Sequence, residues 1–201
     1  MKGSIIKVLL IACLSMAGCA TYGHRTFTTD IFNKYHVVKN GLSMRFEPVI
    51  DKEKSTWYLN LSPAKYDLLP VFLSIENESG HIKRINIDGV YLMAKLEQIK
   101  YASLPIETAV KTIQSSGWIP SLLFGAVGSF AAGSVEESKD EDIYHKAFRP
   151  RIIEPGGRGQ GLLFFKVPKD DILNKEFALC LIIDNLDNNS TEEEWLSFET
   201  R

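Results

Sequence analysis

Asn40-Gly41 stands between two short apolar-rich runs, and no other feature constrains the chain as much. The pair suits the backbone angles of a two-residue hairpin. After it Leu42, Met44 and Phe46 alternate with Ser43, Arg45 and Glu47, the period of a strand with one face buried. Residues 35–38 read as the partner strand. Further β runs are predicted at 57–61, 69–75, 82–93, 161–167, 177–184 and 195–198, bounded by Asn, Gly, Asp or Pro. Within 82–93, Ile85, Ile87 and Gly89 fall on one face and Asp88-Gly89 marks a bend. Short strands in this number predict a mainly β protein, an immunoglobulin-like antiparallel β-sandwich of about seven or eight strands, with a small barrel as the alternative.

The pattern changes between about residues 103 and 148. Ile106, Val110 and Ile113 share a helical face after Pro105, Glu107 can pair with Lys111, and Gly117 can end the helix. An apolar Gly/Ala-rich stretch follows, with no charge from Thr112 through Val135 and then an acidic run, Glu136 to Asp142. As a helix from Pro120 to Val135 it would be about 24 Å long, short of a bilayer core of about 30 Å. Gly125, Ser129 and Gly133 recur every fourth residue, a spacing that lets a second backbone approach. Trp118, Leu122, Leu123, Phe124 and Phe130 supply apolar contacts to a membrane or partner. Three readings stay open: a helix or loop packed on the sandwich, insertion beside a membrane anchor, and a helical contact with a partner or second copy.

The amino-terminal residues have the charged and apolar parts of an export signal, Lys2 and Lys7 followed by a run too short to span. Met16-Ala17-Gly18-Cys19 resembles the lipobox of bacterial lipoproteins, with Met where Leu is commonest. The resemblance implies removal of residues 1–18 by cleavage between Gly18 and Cys19, and acyl chains on Cys19. Leu10-Ile11-Ala12-Cys13 also fits, but leaves only a short apolar run after Lys7. Several acyl chains give stable anchoring. Ala20, where Asp would favour the inner membrane, implies for a Gram-negative source an outer-membrane lipoprotein facing the periplasm. A Gram-positive source would place it on the outer face of the plasma membrane. Residues 19–34 lack a sustained period and read as a lipidated tether spanning about 20 Å as a coil, and 35–201 as the sandwich domain.

Charge and cysteines narrow the function. The 23 basic and 25 acidic residues give −2, and loss of Lys2 and Lys7 takes it to −4, a poor balance for nucleic-acid binding. With Cys13 removed and Cys19 acylated, Cys180 has no disulfide partner, and its apolar surroundings suggest a small buried hydrophobe.

No motif predicts a catalytic residue. Glu154 to Gly161 is glycine-rich but lacks phosphate-loop spacing and leads into a strand, so it reads as a turn. His24, His36, His81 and His145 are scattered without metal-ligand spacing, and Asp184 to Ser190 lacks the order of a calcium loop. The expectation is a non-catalytic envelope lipoprotein without metal or cofactor beyond its covalent lipid. It would present a sandwich to an envelope protein or to a second copy. A membrane-inserting or secretion-scaffold component using residues 118–135 is the alternative.

Overall fold

The computed structural model describes residues 32, 34–59, 62–115, 141, 143–149, 151–173 and 175–200. In chain order the elements are β1 (Tyr35–Lys39), β2 (Leu42–Pro48), α1 (Lys52–Leu59), a short 3-10 helix (Pro63–Tyr66), β3 (Leu68–Asn77), β4 (Lys83–Ala94), β5 (Ile99–Ala102), α2 (Ile106–Ser115), β6 (Arg151–Ile153), β7 (Arg158–Lys166), α3 (Lys169–Ile172), β8 (Lys175–Asn185) and β9 (Ser190–Thr200). They form two antiparallel sheets, ordered β1-β2-β3-β7 and β5-β4-β8-β9, with β6 also paired to β4. The protein is mainly β, as the short runs predict.

Asn40 (φ 50°) and Gly41 (φ 72°) both have positive φ, and Lys39 pairs with Leu42, which is the two-residue hairpin that Asn-Gly favours. Leu42, Met44 and Phe46 then enter the core between the sheets. There they join Leu69, Val71, Leu73, Leu163 and Phe165 against Leu92, Phe177, Leu179, Leu196 and Phe198. The opposite side of the first sheet is buried as well. Phe72, Leu162 and Phe164 pack there against Tyr58 and Leu59 of α1, Ala109 and Val110 of α2, and Ile143 and Ala147. The first sheet is thus the middle of three layers, which explains why β3 and β7 read as nearly unbroken apolar runs.

Strand β4 carries the main irregularity. Asn86 pairs with Ile182 and Tyr91 with Cys180, so four residues of β4 lie opposite the single residue Leu181. Those three extra residues are an odd number, and the inward positions change from Ile85 and Ile87 to Val90, Leu92 and Ala94. The bend expected at Asp88-Gly89 is this bulge. A Cβ on Gly89 would lie 2.6 Å from Ile182 Cγ1, so the close approach needs glycine.

The strand predicted at 57–61 is a correction, because Lys52–Leu59 is helical. Asp51 Oδ1 accepts a bond from the Lys54 amide at 2.8 Å, capping the first turn, and burial of Tyr58 and Leu59 on the first sheet holds the last one. At the other end the buried Lys146 ammonium donates to the Tyr58 carbonyl, one of the orphan acceptors of a helix terminus. The helix expected from Pro105 is present as α2. Phe32 falls in the stretch expected as tether, yet it is buried between Tyr58 and Phe72, with both ring centroids 4.7 Å away.

Candidate functional site

Helices cover the outer side of the first sheet, whereas no described element covers the outer side of the second. Strand pairing assembles a patch on that bare side from three strands. Tyr91, Cys180 and Trp195 form one row across β4, β8 and β9, and Lys100, Met93, Ala178 and Ser197 form the next. The bulge is essential to this arrangement, because an even register shift would send Tyr91 into the core. Trp195 is 43% exposed although Leu196 and Phe198 beside it are buried. An indole on the solvent side of an alternating strand is the sequence signal for this patch, and one that sequence reasoning missed.

The Tyr91 and Trp195 rings meet edge to face at 5.6 Å across β8, roofing Cys180, which has no exposed surface. Burial raises the Cys180 thiol above its usual range. Such a thiol stays protonated near neutral pH and is a poor nucleophile. The Tyr91 phenol is pushed up to about 12, first by burial, then by its hydrogen bond with Cys180 and the nearby Glu193 charge. On the other flank the Lys100 ammonium lies 4.4 Å from the Tyr91 ring centroid, a cation–π contact. Ion pairs frame the patch, Arg84 to Asp184 at 2.7 Å and Lys95 to Glu176 at 2.5 Å. An aromatic centre with a charged rim suits recognition of another surface.

The free edge of β9 borders the patch. Glu176 directs its carbonyl to the Lys95 amide on the β4 side, so Glu199, its partner on β9, turns its own amide and carbonyl outward. Both groups are held by the Tyr35 hydroxyl, at 3.1 and 3.2 Å. The β8–β9 register is unbroken, so Glu193, Trp195 and Ser197 also turn their backbone groups outward. Among the described residues, these groups make no hydrogen bond on that side. Glu194, buried, accepts from Asn40 Nδ2 at 2.6 Å. The Lys39 ammonium stands 2.6 Å from its other oxygen, close enough for ion pairing though not aligned for a hydrogen bond.

Other polar clusters are accounted for by structure. Lys175 holds Asp171 at 2.6 Å and Glu97 at 2.8 Å, which lowers both carboxylates and raises the lysine. In the β8–β9 turn Asn185 and Asn188 accept bonds from the Asp187 and Ser190 amides, while Asp184 binds Arg84 and Thr191. The glycine-rich segment turns at Gly156 (φ 76°) and continues as β7. His36 meets Ser43, His81 meets Asp187 and His145 lies 3.8 Å from Glu141, at separate places. Among the described residues no three His, Cys, Asp or Glu side chains gather to hold a metal, and no helix is long and apolar enough to cross a membrane.

Gly18, Cys19 and His24 lie outside the described residues, as do Trp118, Leu122, Leu123, Phe124, Gly125, Ser129, Phe130 and Gly133. Their flanks are described, and α2 and residues 143–147 both pack on the covered side of the first sheet, the side that holds Phe32.

No family model matches the chain, and no curated protein matches it either. Among solved structures it is similar to a functionally unknown protein from Listeria monocytogenes EGD-e. The two are 15% identical with a TM-score of 0.39, over 84% of this chain and 83% of that one. A likeness at that level bears on neither fold nor function.

Proposed function

We propose that the protein is an envelope lipoprotein, anchored through acyl chains on Cys19, that binds another protein with an immunoglobulin-like sandwich and catalyses no reaction. Strand order supports the immunoglobulin-like part. In immunoglobulin lettering β2-β3-β7 runs A-B-E and β5-β4-β8-β9 runs C′-C-F-G, with β1 added beside A. One observation carries the binding part: of two sheets, one is buried on both sides and the other leaves an exposed tryptophan over a thiol on a bare face. For a Gram-negative source the location is the periplasmic side of the outer membrane.

Two measurements test the two halves. Metabolic labelling with a lipid precursor should mark the wild type and not Cys19→Ser, which should also lose membrane retention; continued acylation of that variant refutes the anchor. Oxidative footprinting should find Trp195 protected in intact envelopes relative to purified protein diluted until it is monomeric. Equal oxidation in both settings would sink the binding half.

A second reading has its own support. The uncharged stretch 118–135 is flanked by α2 and residues 143–147, on the side from which the chain runs back through Phe32 toward Cys19. Membrane contact by that stretch and the lipid would then occur on one side of the domain, with the Trp195 patch facing away. Liposome flotation of a Cys19→Ala chain, with and without residues 118–135, tests it. An unlipidated chain that does not float argues against insertion.

A further inference from the structure

We propose that the free edge of β9 pairs antiparallel with β9 of a second copy, about a two-fold axis at Trp195. This deepens the protein-binding half of the function above and is independent of the lipid anchor.

The backbone restricts the occupant. Three consecutive outward positions, Glu193, Trp195 and Ser197, offer amides and carbonyls that no described residue pairs with, and an edge of that kind is a template for another strand. Tyr35 already occupies the fourth position, Glu199, which limits how far an added strand can run. A two-fold axis at Trp195 places Trp195 opposite its copy and Glu193 opposite Ser197, so all three positions pair, and only Thr191 at the strand end comes opposite the Tyr35-held Glu199, where the added ladder stops. An axis at Glu193 would set two glutamates face to face, and an axis at Ser197 would run Trp195 into the occupied Glu199.

Charge does not forbid the pairing. Glutamates on an edge commonly prevent association, but of the four on β9 two have their carboxylates engaged by the β1–β2 turn and β4. Lys39 and Asn40 hold Glu194, while Lys83 and Asn40 hold Glu192. Glu193 faces a serine in the chosen register. Joining the edges would unite the two bare faces and stack the aromatic patches side by side across the axis.

The test is a disulfide pattern that only this register allows. In full-length protein, from whichever cell fraction holds it, the double variant Glu193→Cys with Ser197→Cys should form a covalent dimer on a non-reducing gel, at least tenfold above either single variant. Residues 193 and 197 of one strand are about 13 Å apart, too far to bridge within a chain, and each single variant places its cysteines at a similar distance across the axis. A double variant that dimerises no more than the singles overturns the proposal, as do singles that dimerise equally well. Trp195→Pro added to the double variant should abolish the product, since that amide makes no bond to β8 and its loss leaves the ladder intact. Should that chain fail to fold, the cysteine pattern still decides. Lipid labelling and membrane retention of the double variant report on the anchor separately.

Discussion

Tyr91 and Trp195 are two strands apart, yet their rings meet at 5.6 Å with planes 83° apart, and Cys180 lies between them on β8. Only a small side chain at 180 lets the rings lean together. Trp195→Ala should therefore open the thiol. Reaction with a disulfide reagent near pH 8 should accelerate by about tenfold or more over the wild type, whose thiol is covered. An unchanged rate would mean that other groups shield Cys180.

The titration of the patch gives a second outcome. With Tyr91 at about 12 when folded and about 10 when unfolded, the unfolded chain ionises first as pH rises. The stability from this group is fully present below about pH 10 and is lost between 10 and 12. The carboxylates act at the other end. Arg84 lowers Asp184, and Lys175 lowers Asp171 and Glu97, so their contribution holds above about pH 4 and disappears as pH falls through the folded values. These pairs are near solvent, so the acid effect is small. Denaturant midpoints measured against pH should show the alkaline loss in the wild type and less of it in Tyr91→Phe. A Tyr91→Phe curve that overlays the wild type refutes the assignment.

Gly161 lies where β7 passes the backbone of Phe148, whose amide donates to the Leu162 carbonyl at 2.8 Å. A Cβ there would sit 2.6 Å from the Phe148 nitrogen and 2.7 Å from its Cα. Since neither backbone can move alone, Gly161→Ala should cost about 1–3 kcal/mol in urea unfolding. Gly80→Ala, with open space around its Cβ, is the control. Equal midpoints for the two variants would show that the crossing relaxes freely.

Much of the frame was legible in local patterns, and the losses have physical causes. Asn40-Gly41 and the Leu42, Met44, Phe46 alternation read correctly because hairpin and register are local. The alternation also suggested a solvated second face, but Ser43 and Glu47 are buried, since what covers a sheet depends on residues far along the chain. The stretch at 57–61 resembled a strand because its aromatic and apolar residues suit either structure, and the deciding Asp51 cap lies outside it. Strands β5 and β6 are short edges stabilised by β4 rather than by their own pattern. The patch itself was hidden because Tyr91, Cys180 and Trp195 share a face only after the odd-numbered bulge, a fact of register.

That cap gives a further expectation. Asp51→Ala removes the acceptor for the Lys54 amide, and such losses cost about 1 kcal/mol. Asp51→Asn should retain most of the stability because an amide oxygen can still accept. If the alanine and asparagine variants unfold at the same urea concentration, the cap contributes nothing measurable.

Phe32 decides where the folded domain begins, and with it the length of the proposed tether. Its ring stacks on Phe72 at 4.7 Å, meets Tyr58 at the same distance and carries the Lys54 ammonium 5.7 Å above it. Twelve residues lie between it and Cys19, so a tether from the proposed anchor is shorter than a domain start at Tyr35 implies. Deleting the ring leaves a cavity between α1 and the first sheet, at about 3–5 kcal/mol for Phe32→Ala and less for Phe32→Leu. Urea unfolding of the membrane-released protein should show that order, and limited proteolysis should cut the alanine variant between 32 and 35, where the wild type is protected. An alanine variant as stable as the wild type would return Phe32 to the tether and lengthen the reach of the domain from the membrane.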